Sequence, residues 1–233
     1  MDGFETMLRD YFDASRVPTE LVTRLARRPR GGALLDAERT AARFVIEASE
    51  RGVRRIGFAS RGRTIGDHRQ AERTRQELRE FLAGARTFFS VDVDLSGIAP
   101  FQGDVLAAAS RIPYGGTTSY AELAKTVGHP RAARAVGNAL GANPVPVIIP
   151  CHRIIRGDGT WGHYAFGGHM KTALLTLERE TPALVGCATT RIVCRRGCAH
   201  ERRIHEGNRI VFATLDDAGS VGYRPCRVCR PAR

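Results

Sequence analysis

Apolar positions recur with two different periods along the chain. In ARFVIEASERGVRRIGFAS (42–60), two strand-like runs flank the turn-prone Glu50-Arg51-Gly52, which predicts a hairpin. HRQAERTRQELREFLAG (68–84) switches to helical spacing, with Leu78, Phe81 and Leu82 on one side and Gly84 placed to stop it. Upstream, short helices are expected around Phe4–Phe12 and Thr19–Arg28, ended by the breaker run RPRGG. From Gly97 helices follow one another. FQGDVLAAASRI stops at Pro113-Tyr114-Gly115-Gly116, and SYAELAKTV starts from Ser119, an N-cap candidate with Glu122 three residues on. Pro130 is expected in the first turn of PRAARAVGNALG. Two short helices joined by VGHP suggest helix-turn-helix. The second holds Ala132, Ala133, Ala135, Gly137 and Ala139, leaving Arg134 as its main long side chain. So thin a helix suits either close packing against a neighbouring helix or a backbone pressed near nucleic acid.

With 233 residues and 42% hydrophobic content, the chain supports a folded core and more than one domain. The formal net charge is +12, and Lys125 and Lys171 are the only lysines among 36 basic residues. Arginine's planar fork suits phosphates and base edges, which favours a polyanionic partner, although biased coding composition would produce the same swap. No stretch approaches a membrane span, and MDGFETMLRDYF lacks a signal-peptide pattern. A cytoplasmic, reducing location is therefore expected, where six cysteines read as ligands or nucleophiles rather than disulfides. Cys151 stands alone, while Cys187, Cys194, Cys198, Cys226 and Cys229 crowd the end of the chain. From Gly186 onward there are 10 arginines and 4 acids, a charge of +6, so the preceding residues carry the other +6.

Cys151 sits within NPVPVIIPCHRIIRGDG (143–159), between Pro150 and His152 and inside an apolar frame. A thiol attacks as thiolate, and a neighbouring base or cation supplies that form. A lone cysteine in an apolar run is by habit a buried structural one. The unit Pro150-Cys151-His152-Arg153, opening into a polar loop, points instead to a nucleophile. Together with IPYGGTTSYAELAKTVGHPRAARAVGNALGAN upstream, RFVIEASERGVRRIGF in front and GHYAFGGHMKTALLTLE behind, it resembles the O6-alkylguanine-DNA alkyltransferases over roughly residues 41–180.

That resemblance implies an α+β protein. A small ribonuclease H-like α/β subdomain would span 41–96 and a helical, winged helix-turn-helix active-site domain 97–182, behind an extension of unassigned role (1–40). It implies single-turnover transfer of an alkyl group from O6-alkylguanine, and from O4-alkylthymine, in double-stranded DNA to Cys151, without a cofactor, by a monomer associated with the nucleoid. His152 would take the thiol proton through a water, and Glu178 would hold the imidazole in the needed tautomer. Asn143 would brace the turn before the cysteine. Tyr120 would crowd the phosphate beside the target, Arg134 would fill the gap left by the rotated base, and Ala133 and Arg153 would lie at the DNA. Tyr164, Ala165 and Gly167 would wall the guanine pocket. Ala165 stands where some members carry a serine that donates to O6, and Phe166 where many bacterial members have tryptophan; both departures bear on preference among larger alkyl groups.

Cys194-x3-Cys198 and Cys226-x2-Cys229 form a four-thiolate set with zinc-ligand spacing, in a tail short enough to need the metal to fold. TTRIVCRRGCAHERRIHEGNRIVFATLDDAGSVGYRPCRVCRP resembles the zinc domain of the Ada-type adaptive-response proteins, spanning 186–233 here. That likeness implies that Cys194 is both ligand and acceptor of a methyl group from a phosphotriester; a purely structural zinc knuckle is the alternative. Arg195-Arg196 replace the usual Arg-Pro after the first cysteine, the module follows rather than precedes its neighbour, and no AraC-type DNA reader is found, so no transcriptional output is expected. Cys187 matches nothing and reads as a spare thiol. Two rival functions are a lesion sensor that binds without transfer, which the presence of Cys151 disfavours, and a cysteine hydrolase, for which no oxyanion arrangement is apparent.

Overall fold

A computed structural model describes residues 36–231, apart from Pro182 and Ala213. The helices expected at Phe4–Phe12 and Thr19–Arg28 lie outside the described residues.

The first hydrophobic run is a hairpin of β1 (Phe44–Ser49) and β2 (Gly52–Phe58), paired antiparallel from Phe44↔Phe58 to Ser49↔Gly52. Burial alternates along β1, so Phe44, Ile46 and Ala48 face the core. A third strand, β3 (Arg63–Gly66), pairs parallel with β1 and gives the order β2-β1-β3. Short and mostly polar, β3 has no sequence signature of its own. Two helices flank the sheet in sequence, the second packing on its strands and the first on the second. Before it, α1 (Ala37–Ala41) is capped by Asp36, and the boundary expected at residue 40 falls within this helix. After it, α2 (His68–Leu82) is capped by the Asp67 carboxylate, which accepts the Gln70 N–H. Its buried face is Ala71, Thr74, Glu77, Leu78, Phe81 and Leu82, at helical spacing.

Gly84 ends α2 in the left-handed region, with φ +68°. A Cβ there would also come 3.0 Å from Thr181 Oγ1. Gly84→Ala should therefore cost about 1–2 kcal/mol, read from the midpoint of chemical denaturation.

Three helices follow: α3 (Pro100–Ser110) with Pro at its first turn, α4 (Tyr120–Thr126) and α5 (Ala133–Gly141). Ser119 caps α4 by accepting the Glu122 N–H, but the Glu122 carboxylate pairs with Lys125 Nζ at 2.7 Å, so only half of a capping box forms. α5 begins at Ala133 rather than near Pro130, because His129–Ala132 close a separate turn, Ala132 N–H to His129 C=O at 2.8 Å. Val136, Ala139 and Leu140 bury one face of α5, while Arg134, Ala135 and Asn138 are exposed.

Two strands of two residues each, β4 (Thr118–Ser119) and β5 (Ile154–Ile155), pair in parallel. β4 immediately precedes Tyr120 and β5 immediately follows Arg153, so this small pairing ties the start of α4 to the cysteine turn. α6 (Gly168–Glu180) completes this part of the core, with Met170, Lys171, Leu174 and Glu178 buried.

The tail is a four-stranded sheet, β8-β6-β7-β9, built from β6 (Leu184–Cys187), β7 (Ile192–Arg195), β8 (Arg209–Phe212) and β9 (Arg224–Pro225). A short helix, α7 (Leu215–Ser220), opens on a reciprocal Thr214–Asp217 capping box. Leu184, Val193, Phe212, Ala218 and Tyr223 form a small core of its own. Among the described residues no helix is long and apolar enough to cross a membrane.

Candidate active site and metal centre

The proline-framed run turns sharply before the cysteine. Val147, β-branched and 1% exposed, is held at φ +76°, a conformation L residues rarely adopt. Asn143 organises the turn: its Oδ1 accepts Val145 N–H at 3.0 Å and its Nδ2 donates to Ile149 C=O at 3.0 Å. The same Nδ2 donates to Cys151 Sγ at 3.1 Å. Cys151 opens a short 3-10 turn, Cys151–Arg153, and is 6% exposed. Burial raises its thiol pKa, against the Asn143 hydrogen bond and the Lys171 charge.

His152 is fully buried, and Nε2 lies 2.7 Å from Glu178 Oε1. Nδ1 makes no hydrogen bond with the described residues. Burial depresses the imidazole pKa despite Glu178, so the ring is neutral, with Nε2–H donating to the carboxylate and Nδ1 left as acceptor. Glu178 also accepts Arg153 Nε at 2.8 Å, Arg153 Nη2 at 2.9 Å and Gly115 N–H at 2.9 Å. Burial works to raise its pKa, but His152 and Arg153 outweigh it and hold the carboxyl at about 2.

Arg153 was expected at the DNA, and the structure corrects this. It is 7% exposed, and its third nitrogen donates to Ile112 C=O at 2.7 Å. Three of its five N–H donors are thus taken by one carboxylate and one carbonyl inside the protein, which turns the guanidinium towards Glu178.

Tyr164 is buried, with its ring 6.1 Å from His152 and edge-on to it, and 5.8 Å from Phe166. Phe166 in turn rests on Phe44 and Phe58, at 5.9 and 5.6 Å, joining the loop to the β1–β2 hairpin. Ala165 and Gly167 are exposed beside it. A Cβ on Gly162 would fall 2.8 Å from the Tyr120 hydroxyl, which places that hydroxyl against the same loop. On α5, Arg134 is exposed and Ala133 half-buried. The structure thus gathers Cys151, His152, Glu178, Asn143 and Tyr164 into one buried cluster, with Tyr120, Ala133 and Arg134 on the two helices outside it.

Lys171 belongs to this cluster and sequence reasoning missed it. Fully buried, it donates Nζ to Ile154 C=O at 2.5 Å, and burial brings its pKa down to about 8. One signal was available: lysine occurs twice in a chain rich in arginine, and while Lys125 is an exposed partner of Glu122, Lys171 is the buried one.

The metal centre is built by β7 and β9. Their parallel pairing, continued by Cys226 N–H to Val193 C=O at 2.9 Å, brings Cys226 beside Cys194. The sulfurs of Cys194, Cys198, Cys226 and Cys229 all lie within 4.8 Å of one another. Four thiolates at the corners of a Zn²⁺ tetrahedron stand roughly 3.8 Å apart, so a modest contraction seats the ion. Arg195 N–H donates to Cys229 Sγ at 3.3 Å. Cys194, Cys198 and Cys226 are buried, and Cys229 is the most open of the four. Cys187 lies apart on β6, with Sγ 3.2 Å from Thr189 Oγ1.

Residues 100–180 match the family model described as "6-O-methylguanine DNA methyltransferase, DNA binding domain", and residues 179–232 that described as "Metal binding domain of Ada". The methylated-DNA–protein-cysteine methyltransferase of Mycobacterium tuberculosis (strain ATCC 25618 / H37Rv) is 48% identical over 104 residues, 45% of this chain and 62% of that protein. The bifunctional transcriptional activator/DNA repair enzyme Ada of Escherichia coli (strain K12) is 44% identical over 108 residues, 45% of this chain and 30% of its own length. The crystal structure of Mycobacterium tuberculosis OGT in complex with DNA is 40% identical with a TM-score of 0.50, covering 56% of this chain and 83% of that one. The chain therefore spans less than two thirds of these curated relatives.

Fold and site together define a class of proteins with one buried thiol beside an imidazole–carboxylate pair on a mixed helix-and-strand scaffold. The chain belongs to the methylated-DNA–protein-cysteine methyltransferase family, with a metal-binding domain of Ada type joined behind it.

Proposed function

We propose that this protein repairs double-stranded DNA by moving the alkyl group of O6-alkylguanine, and of O4-alkylthymine, onto Cys151, once per molecule. The observation that carries this reading is the Cys151 thiol held by Asn143 next to a neutral imidazole locked by Glu178. His152 Nδ1 accepts the thiol proton through a water, and the imidazolium formed is stabilised by Glu178. The thiolate attacks the alkyl carbon, the S–C bond forms as the C–O6 bond breaks, and the electron pair leaves on guanine, which takes up a proton. The thioether is not hydrolysed, so turnover stops there. In the same reading residues 41–96 form a ribonuclease H-like unit, 97–182 carry α4 and α5 as a winged helix-turn-helix, and 186–233 are the zinc domain; the protein works as a monomer at the nucleoid. The guanine pocket is walled by Tyr164, Ala165 and Gly167. With Ala165 offering no hydroxyl, O6 is received by backbone N–H groups.

Incubation of the protein with duplex DNA carrying O6-methylguanine should add one methyl group, mapped to Cys151 and absent in Cys151→Ala. Reduced, folded protein whose mass does not change would leave a lesion-binding role instead.

The exposed Arg134 on a helix of small residues fits insertion into the base stack beside an everted nucleotide. Extrusion costs a few kcal/mol, which the inserted side chain partly offsets, so Arg134→Ala should slow transfer from duplex roughly tenfold. Transfer from single-stranded DNA should be nearly unchanged; equal losses on both substrates would place Arg134 in general phosphate binding.

For the tail, methyl acceptance from a phosphotriester at Cys194 and a structural zinc role are the two candidate activities. Cys194 is 1% exposed, which favours the structural role in this conformation.

A further inference from the structure

The segment after α2 does not turn away into solvent but runs along the edge of the cysteine cluster. Glu77 pins it to α2 by accepting Ser90 N–H at 2.7 Å. Arg86, 7% exposed, donates Nε to Glu80 at 2.8 Å and Nη1 to Phe88 C=O at 3.2 Å. Tail residues meet this segment at each point. Thr87 N–H donates to Arg196 C=O at 3.2 Å, and Arg196 N–H donates to Ala183 C=O at 3.1 Å. Gly197, at φ +89°, presses so close that a Cβ would sit 3.1 Å from the Arg86 Cα. Arg202 Nη2 reaches Glu80 Oε2 at 2.5 Å, so one carboxylate serves a cation from each side. Phe88 packs against the cysteine cluster itself, with the Arg86 and Arg195 guanidinium carbons 5.3 and 5.8 Å from its ring centre.

The loop that meets Phe88 is shaped by the metal ligands. It runs from Cys194 to Cys198, and the Gly197 N–H is braced by Glu201 at 3.0 Å. The Arg195-Arg196 pair also finds its place here. Proline at 196 would lack the N–H that Arg196 gives to Ala183 and would leave that carbonyl one donor short.

We infer that the zinc tail is an internal clamp: metal held by Cys194, Cys198, Cys226 and Cys229 forms the 194–201 loop into a seat for Arg86–Phe88. Metal binding thereby steadies α2 and the segment after it, and while Phe88 is seated Cys194 is covered. A methylphosphotriester in DNA reaches that sulfur only when the seat is open. The inference rests on zinc binding by the tail and is independent of transfer at Cys151, because none of its readouts uses an O6-alkylated base.

The experiment uses the full chain. Hydrogen exchange is followed in peptides covering 77–90, with zinc loaded and after stripping by a chelator. Stripping should speed exchange there roughly tenfold, as expected when an aromatic–cation contact and its hydrogen bonds are released. Zinc transfer to a chromogenic chelator should quicken roughly tenfold in Phe88→Ala and about threefold in Arg202→Ala, whose half-exposed side chain tolerates removal without threatening the core. Labelling of Cys194 by a small methylating agent, read by peptide mass, should rise in the same order. Unchanged exchange at 77–90 after zinc removal would overturn the inference. So would zinc release and Cys194 labelling that match the parent protein in both variants.

Discussion

Glu178→Gln should slow alkyl transfer to Cys151 by roughly a thousandfold, because the imidazole loses both its locked tautomer and the partner of its charged form. The substitution keeps the shape of the side chain and removes only its charge. Arg153 is then left with its charge buried and unpaired, and His152 and Gly115 face an amide that accepts less and donates where donors already point. Breaking a buried pair from one side costs about 3–5 kcal/mol. The pH dependence gives a second, independent reading. Above the usual 4.5 the carboxylate is charged in both folded and unfolded chains and its contribution is complete. As pH falls from 4.5 towards 2 the unfolded chain takes up the proton first, and stability on the order of 3 kcal/mol drains away. Denaturation midpoints measured between pH 7 and pH 3 should fall more steeply in the parent protein than in Glu178→Gln, where Asp94, also held at about 2, and Glu80 and Asp158, also lowered, leave a shallower slope. Cys151→Ala is the control that separates the two effects: transfer vanishes while the acid slope persists. A Glu178→Gln protein that transfers at the parent rate would remove His152 from the proton path.

What could be read in advance follows from the range of each interaction. The β1–β2 hairpin and α2 are set by near neighbours: a turn at Glu50-Arg51, alternation along Phe44–Ser49, and Leu78, Phe81 and Leu82 one helical turn apart. Local spacing carries all of this. β3, β4 and β5 are too short to show a period, and the tail strands are four residues or fewer, so the sheet β8-β6-β7-β9 had no signal beyond its cysteines.

The site divides the same way. Cys151 and the four-cysteine set are visible because sulfur is scarce and its spacing informative. Glu178 came only through family likeness, since it lies 26 residues from His152 and a solvated helix-end carboxylate would look identical in sequence. Arg153 was misread for the same reason: an arginine beside a candidate nucleophile reads as a phosphate ligand until its carboxylate, 25 residues away, is seen. Lys171 was overlooked because a single cation on α6 has no motif, and its meaning appears only when the fold places it against the carbonyl that follows the cysteine turn.

Losing one zinc ligand should unfold the tail and spare the transfer site. Among the described residues the tail's apolar cluster is Leu184, Val193, Phe212, Ala218 and Tyr223, with Val185 buried beside it on β6, far short of what a segment of this size needs to fold unaided. Structural zinc sites supply roughly 10–16 kcal/mol of apparent binding energy, and in a small module that energy is folding energy. Cys226→Ser removes a thiolate placed by the β7–β9 pairing, next to the ring nitrogen of His200 at 3.5 Å. In that variant amide protection along β6, β7 and β8 should collapse and native mass should show no bound zinc. Transfer from O6-methylguanine to Cys151 should continue, because no residue of its hydrogen-bonded cluster comes from the tail. Protected β6–β8 amides in a zinc-free protein would mean that the small core and its contacts with Arg86 and Phe88 hold the tail by themselves. The cysteines would then have to be kept for chemistry at sulfur rather than for folding.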